Sequence, residues 1–175
     1  MLRVLIAKSE ATGGECGSIN VVRANLVDLD CFASQSADHA VCLFSTLGMI
    51  QGRRQRLQML AHVARIVRPG GRLVIHVHNR WAAAGEPAGC RGLAKSWLAS
   101  LTRKDREFGD STYGYRGIES MFMHRFSKGE LVRDLVASGW NVLRVDAVSI
   151  DGSQTIKTGW LGSLRAGGYL ALATC

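Results

Sequence analysis

The stretch "RPGGRLVIHVHN", residues 68–79, ends an apolar run in two histidines and an asparagine. An imidazole takes up and releases a proton near neutral pH, and a carboxamide both donates and accepts hydrogen bonds. His76 and His78 flank Val77, so on a strand they share one face, and Asn79 follows at the end. His76 reads as a hydrogen-bonded core histidine. His78 stands last on the strand and is the stronger candidate for chemistry. Other catalytic patterns are missing: the chain has no G-x-S-x-G elbow, no H-E-x-x-H and no phosphate-binding P-loop. Cys90 and His124 show no spacing that would mark them as a nucleophile and its base. No cysteine pair has zinc-type spacing, so no metal site is expected.

Two elements must place His78. Residues 39–45, "HAVCLFS", form an apolar run without polar alternation, the pattern of a strand covered on both faces in a parallel sheet. Residues 52–67 carry Leu57, Leu60, Ala61, Ala64 and Val67 at three- and four-residue spacing, which predicts an amphipathic helix. Pro69 and Gly70 end it, and residues 72–78 make the next strand. Strand, helix, turn and strand form a βαβ unit with a right-handed crossover. In open α/β sheets ligands bind beyond the carboxyl ends of the strands. His78 and Asn79 lie at one such end, and Ser45 and Thr46 at the other.

Elsewhere the reading is coarser. Residues 1–11 are expected to be helical, stopped by "TGGECG". "INVVRA", 19–24, is β-branched and reads as a strand, followed by a loop to residue 38. Residues 80–125 read as an insertion or lid, with one helix over 92–103 and a polar, turn-prone stretch over 104–117. Ser127 and Glu130 have capping-box spacing at the head of a helix over 127–140, with Gly139 as its stop. Strands over 141–150 and 167–175 are separated by a glycine-rich link too short for a crossover helix, so they are expected to be antiparallel neighbours.

The 175 residues suit a single domain over 1–175, and 47% of them are apolar, which favours a globular core. A net charge of +8 favours anionic partners, RNA among them. Five scattered cysteines and no secretory signal point to reduced thiols in a cytoplasmic setting, and no apolar run is long enough to span a membrane. A rival reading is a nucleic-acid-binding or partner-binding module. Arg53, Arg54 and Arg56 crowd the first turn of a helix, where cations are disfavoured, and Lys95, Arg103, Lys104 and Arg106 lie near Trp97.

The order of these motifs resembles the latter two thirds of a class I S-adenosylmethionine-dependent methyltransferase. "VVRANLVDLD" is similar to that family's third strand and the loop after it, and "DHAVCLFSTLGMI" to its fourth strand. "HVARIVRPGGRLVIHV" resembles the helix, Pro-Gly-Gly turn and fifth strand, and "HRFSKGELVRDLVASGWNVLRV" the following helix and sixth strand. The resemblance implies a Rossmann-like, mostly parallel sheet in the order 3-2-1-4-5-7-6, with an antiparallel hairpin at its end. It implies methyl transfer from S-adenosylmethionine to a small-molecule, protein or tRNA acceptor. By the same resemblance Asn25 and Leu26 would meet the adenine. Leu43, Phe44 and Ser45 would line the methionine moiety, and His78 and Asn79 would face the acceptor, with Thr46 beside them; the place of His78 at the strand's end makes it the candidate base.

The family's glycine-rich cofactor turn, D-x-G-x-G-x-G, has no counterpart in the sequence. The resemblance therefore implies an N-terminally truncated domain whose fourth strand has an open edge. Three consequences are expected as alternatives: the third strand pairs directly with the fourth, a second copy or partner subunit covers the edge, or the chain is unstable. A non-catalytic subunit with a methyltransferase-like fold is a further alternative.

Overall fold

The computed structural model describes residues 19–115, 117–156 and 166–175. The expected helix over 1–11 and its glycine stop lie outside those residues. A five-stranded sheet runs in the order β1 (Ala37–Cys42), β2 (Val67–His78), β7 (Gly168–Thr174), β5 (Asn141–Val148), β6 (Thr155–Ile156). A separate hairpin pairs β3 (Asp110–Tyr115) with β4 (Ile118–His124). Three longer helices complete the described chain: α1 (Arg53–Ile66), α2 (Gly89–Thr102) and α3 (Lys128–Ala137).

β1 and β2 pair in parallel, as the βαβ pattern requires, but the apolar run over 39–45 is not covered on both faces: no residue of β1 is buried, Val41 is 66% exposed, and the strand ends at Cys42. The Pro-Gly-Gly turn bulges out of this ladder: Ala37 stands opposite Val67 and His39 opposite Arg72, with Gly70 at φ +81°. β7 runs antiparallel to both β2 and β5, so the expected neighbours at the chain's end do pair. The expectation of a mostly parallel sheet is corrected: of the four pairings described, only β1–β2 is parallel, and the sheet is mixed. β1, β2 and β5 still point the same way, because β7 reverses between two of them.

Along β2, Leu73, Ile75 and Val77 are buried in alternation, while His76 and His78 lie half-buried on the other face. His76 is thus not in the core. Tyr169, Ala171 and Ala173 of β7 stand opposite Val77, Ile75 and Leu73 and extend this buried face, which packs with Met59 and Leu60 of α1 and Leu131 and Leu135 of α3. Trp140 closes this layer and donates its indole N–H to the Leu60 carbonyl at 3.1 Å. The capping box forms as its spacing predicts. Ser127 Oγ accepts from the Glu130 N–H, Glu130 accepts from the Ser127 N–H, and Gly139 leaves the helix at φ +90°.

Residues 19–24 do not form a strand. No described strand pairs with the outer edge of β1, so direct pairing of the expected third strand is ruled out for the described chain. The segment instead lies by its side chains against α1 and the start of β1. Val22, Leu26, Leu29 and Phe32 line an apolar groove of about 270 Å³ with Ala37 and Val63. Arg65 fastens the segment by donating to the carbonyls of Phe32 and Leu29 at 2.8 and 2.9 Å. β-branched residues favour a strand only where a neighbouring strand offers a ladder.

Candidate active site

β1 stops at Cys42 because the next turn leaves the extended region. Phe44 and Ser45 are both left-handed, each at φ 56°. Two successive non-glycine residues in that region cost about 1–2 kcal/mol apiece and are typical of sites where geometry is imposed. Ser45 is fully buried, and its Oγ accepts the His78 N–H at 3.1 Å, tying the ends of β1 and β2 together. Thr46 Oγ1 turns back to the Leu43 carbonyl at 2.8 Å. Leu43 is partly exposed, and Phe44 is 81% exposed.

The His78 ring packs edge-on to that of His76, with centroids 5.4 Å apart. Burial, then the charges of His76 and Arg125, lower its pKa, so His78 is neutral at physiological pH. Asn79 is fully buried. Its amide donates to the Ala166 carbonyl at 2.7 Å, and its Oδ1 accepts from the Trp81 N–H and the Tyr169 hydroxyl, each at 3.1 Å. Its side chain thus holds the chain's turn away from β2.

The structure brings Leu43, Phe44, Ser45, Thr46, His78 and Asn79 to the trailing ends of β1 and β2. It does not bring Asn25 and Leu26 there. Leu26 lines the apolar groove beside Ala37 and Val67, at the leading ends of the same strands, and Asn25 Oδ1 accepts the Val27 N–H in an exposed turn at 3.3 Å. Because 19–24 is not in the sheet, the turn that follows it is not delivered to the crevice.

Beyond β2 lies a buried polar network that sequence reasoning missed. His124 is fully buried between two carboxylates: Nδ1 is 2.7 Å from Asp110 Oδ1, and Nε2 is 2.8 Å from Glu130 Oε1. Asp110 and His124 are direct cross-strand partners in the β3–β4 ladder, which sets the first contact. Burial opposes the charged ring, but the hydrogen bonds to Asp110 and Glu130 prevail and raise its pKa. Burial would likewise raise Asp110 and Glu130, and their bonds to His124 reverse this, so both pKa values are lowered.

The network extends through arginines. Arg80 pairs with Glu130 and lies over the Phe108 ring, 4.3 Å from its centroid. Arg56, fully buried, meets Glu107 at 2.6 Å, and Arg53 meets Asp134 at 2.8 Å. Glu107 also accepts the Arg53 N–H at 2.6 Å, supplying the negative charge that the first turn of α1 lacks, since its N-cap is Gly52. The helix-start arginines are therefore explained by the chain's own carboxylates. Arg54 alone of the three stays exposed without such a partner among the described residues.

Glu107, His124 and Glu130 present ligand atoms within 4.8 Å of one another, a spacing a metal ion could use. Both nitrogens of His124 are already committed to carboxylates, and guanidinium groups hold Glu107 and Glu130. The arrangement is a charge-balanced strut that binds the β3–β4 hairpin and the turn after β2 to α1 and α3.

Residues 80–125, read from sequence as an insertion, hold a short 3-10 helix over Arg80–Gly85, then α2 and the hairpin. The stretch over 104–117 is thus not all turn, since β3 begins at Asp110. These elements border an open cavity of about 510 Å³ lined in part by Arg80, Glu86, Lys95, Arg106, Asp110 and Arg125.

No protein-family model matches the chain, and no curated protein matches it in sequence. Solved structures do match. An S-adenosylmethionine-dependent methyltransferase from Methanosarcina mazei aligns over 98% of this chain and 76% of its own, at 17% identity and a TM-score of 0.62. A methyltransferase from Streptomyces caelestis aligns over 100% and 75% at 12% identity and a TM-score of 0.65. The fold is that of the class I S-adenosylmethionine-dependent methyltransferases. The 1,6-didemethyltoxoflavin-N1-methyltransferase from Burkholderia thailandensis, solved with S-adenosylhomocysteine, aligns over 97% of this chain and 55% of its own, at 15% identity and a TM-score of 0.56. The described strand order β1-β2-β7-β5 agrees with the 4-5-7-6 run of the sheet order that the resemblance implied.

Proposed function

We propose that this methyltransferase-fold chain transfers a methyl group from S-adenosylmethionine to an acceptor held beneath residues 80–125, which act as a lid within a single domain. The observation that carries this reading is the shared ending of β1 and β2: two parallel strands joined by the Ser45–His78 hydrogen bond, with Leu43 and Phe44 at the opening. When bound, S-adenosylmethionine supplies a methyl group already activated on a sulfonium. Leu43 and the exposed Phe44 suit that end of the ligand, since an aromatic face attracts an onium cation. No residue is assigned to its ribose.

The rest of the chemistry falls to the chain. Positioning dominates such displacements, and a neutral histidine can take the proton that the acceptor loses. His78 is neutral and feels the charges of Arg125 and Glu86, which line the cavity within residues 80–125, although His78 itself does not line it. Asn79 and Thr46 fix the turns on either side of the opening. Calorimetric titration with S-adenosylmethionine tests the binding step. A turnover assay on His78→Ala tests the base, with an expected loss of about 10²–10⁴-fold. Saturable binding with unchanged turnover in that variant would remove His78 from the mechanism.

The open outer edge of β1 favours a second feature. Val41 is 66% exposed on a strand with no described neighbour on that side. A structural neighbour from Haloferax volcanii is a putative methyltransferase solved in complex with a methyltransferase activator, at 15% identity and a TM-score of 0.51. A partner subunit or second copy covering β1 is consistent with this edge. Light scattering that gives a monomer, together with protected amides over 37–42, would argue against it. No helix among the described residues is long and apolar enough to cross a membrane.

A further inference from the structure

We propose that the open cavity formed within residues 80–125 takes an anionic acceptor, a small molecule bearing a carboxylate or a phosphate. This rests on the methyltransferase reading for the word acceptor, but not for the anion. The lining carries five cations, Arg80, Lys95, Arg103, Arg106 and Arg125, against three acids, Glu86, Glu107 and Asp110. All three acids are already spent within the protein. Glu86 pairs with Arg125 at 2.8 Å, Glu107 with Arg56 at 2.6 Å, and Asp110 with His124 at 2.7 Å.

The cations are not all spent. Lys95 and Arg106 make no ion pair with any described residue, and Arg103 meets only the exposed Asp105, at 3.6 Å. These charges stand on two elements, α2 and the loop leading to β3, and converge on one concavity. The first turn of α2 borders the same space through Ala88, Gly89 and Gly92, with no side-chain cap and no acidic residue. The Gly89 and Gly92 N–H groups are taken by the Glu86 and Ala88 carbonyls at 2.9 and 3.0 Å, so this helix end contributes through its dipole alone.

The volume argues for a small molecule. About 510 Å³ lies within the range of pockets that enclose a drug-sized ligand. RNA would need basic groups spread along a surface and an aromatic platform among them. Tyr113, half-buried, is the one aromatic in the lining, and the exposed Trp97 of α2 is not part of it, so successive bases would find no run of rings to stack on.

The test compares benzoate, phenyl phosphate and neutral benzamide by calorimetry on the whole chain, with S-adenosylmethionine titrated separately. Benzoate or phenyl phosphate should bind about tenfold or more tightly than benzamide, and the preferred one identifies the acceptor's anionic group. That advantage should vanish in Lys95→Gln/Arg106→Gln and persist in Arg106→Lys, at an unchanged melting temperature. Equal binding of all three probes overturns the proposal. So does binding that survives the double variant. Salt-sensitive binding of a single-stranded oligoribonucleotide without any probe binding overturns it in favour of a nucleic-acid surface. If the probes behave as expected but S-adenosylmethionine does not bind, the anion site stands and the methyl-transfer reading falls.

Discussion

Replacing His124 with leucine should be among the most damaging single changes in this chain. The ring sits 2.7 and 2.8 Å from Asp110 and Glu130 and is fully buried. At an effective dielectric constant of about 20, each such contact between unit charges is worth about 6 kcal/mol before desolvation is counted. Desolvation offsets most of that, and breaking a buried pair by removing one partner costs about 3–5 kcal/mol. Domains of this size are stable by only about 5–15 kcal/mol, so His124→Leu should lower the melting temperature by roughly 10 °C. The cost comes chiefly from the stranded carboxylates rather than from a lost contact. Adding Asp110→Asn to His124→Leu should therefore restore at least about 1 kcal/mol, since the amide oxygen can still accept the Glu107 N–H. Urea denaturation at pH 7 measures both. A loss under about 1 kcal/mol for the single variant, or further destabilisation in the double variant, would refute the strut.

Other expectations follow from the same structure. The raised pKa of His124 stabilises the fold below its unfolded value and is lost as pH rises through the folded value, whereas the lowered Asp110 and Glu130 stabilise above their unfolded values and are lost as pH falls; stability against pH should be domed, and NMR should find His124 still charged above about pH 6.5. Asp134 behaves oppositely, its pKa raised by burial despite Arg53, so Asp134→Asn should change stability by less than about 1 kcal/mol at pH 7. Gly48→Ala should cost about 1–3 kcal/mol, because a Cβ there would lie 2.5 Å from the His124 carbonyl oxygen, while Gly129→Ala, with only Arg133 Nη1 at 3.9 Å, should gain a few tenths to about 1 kcal/mol. Phe44→Gly should stabilise the fold by about 1 kcal/mol by relieving a left-handed backbone, yet weaken S-adenosylmethionine binding.

Local periodicity made the scaffold legible. The spacing of Leu57, Leu60 and Ala64 marked α1 to within a residue at each end, and Ser127 with Glu130 marked the start of α3. The unbroken apolar runs gave the parallel pair, and the short glycine-rich link gave the antiparallel end. What failed was whatever depends on distant partners. Ile19, Val21 and Val22 have strand character but no strand beside them. The polar β3 hides its hairpin because Asp110 and Ser111 look like turn residues until their partners across the ladder are known. The site divided the same way. His78 could be placed by position on a strand, and Asn79 and Ser45 by position just past strand ends, although β1 stops three residues before Ser45. The His124 network could not, because it joins groups up to 81 residues apart in the chain, as in Arg53 with Asp134.

The central claim is that the trailing ends of β1 and β2 form the cofactor end of a methyltransferase site. Backbone NMR of the labelled chain during titration with S-adenosylhomocysteine tests it most directly. The account predicts saturable shifts at Leu43–Thr46 and at His78, with the groove around Leu26 and Val63 unmoved. Shifts confined to that groove, or none anywhere on the described chain at millimolar ligand, would contradict it.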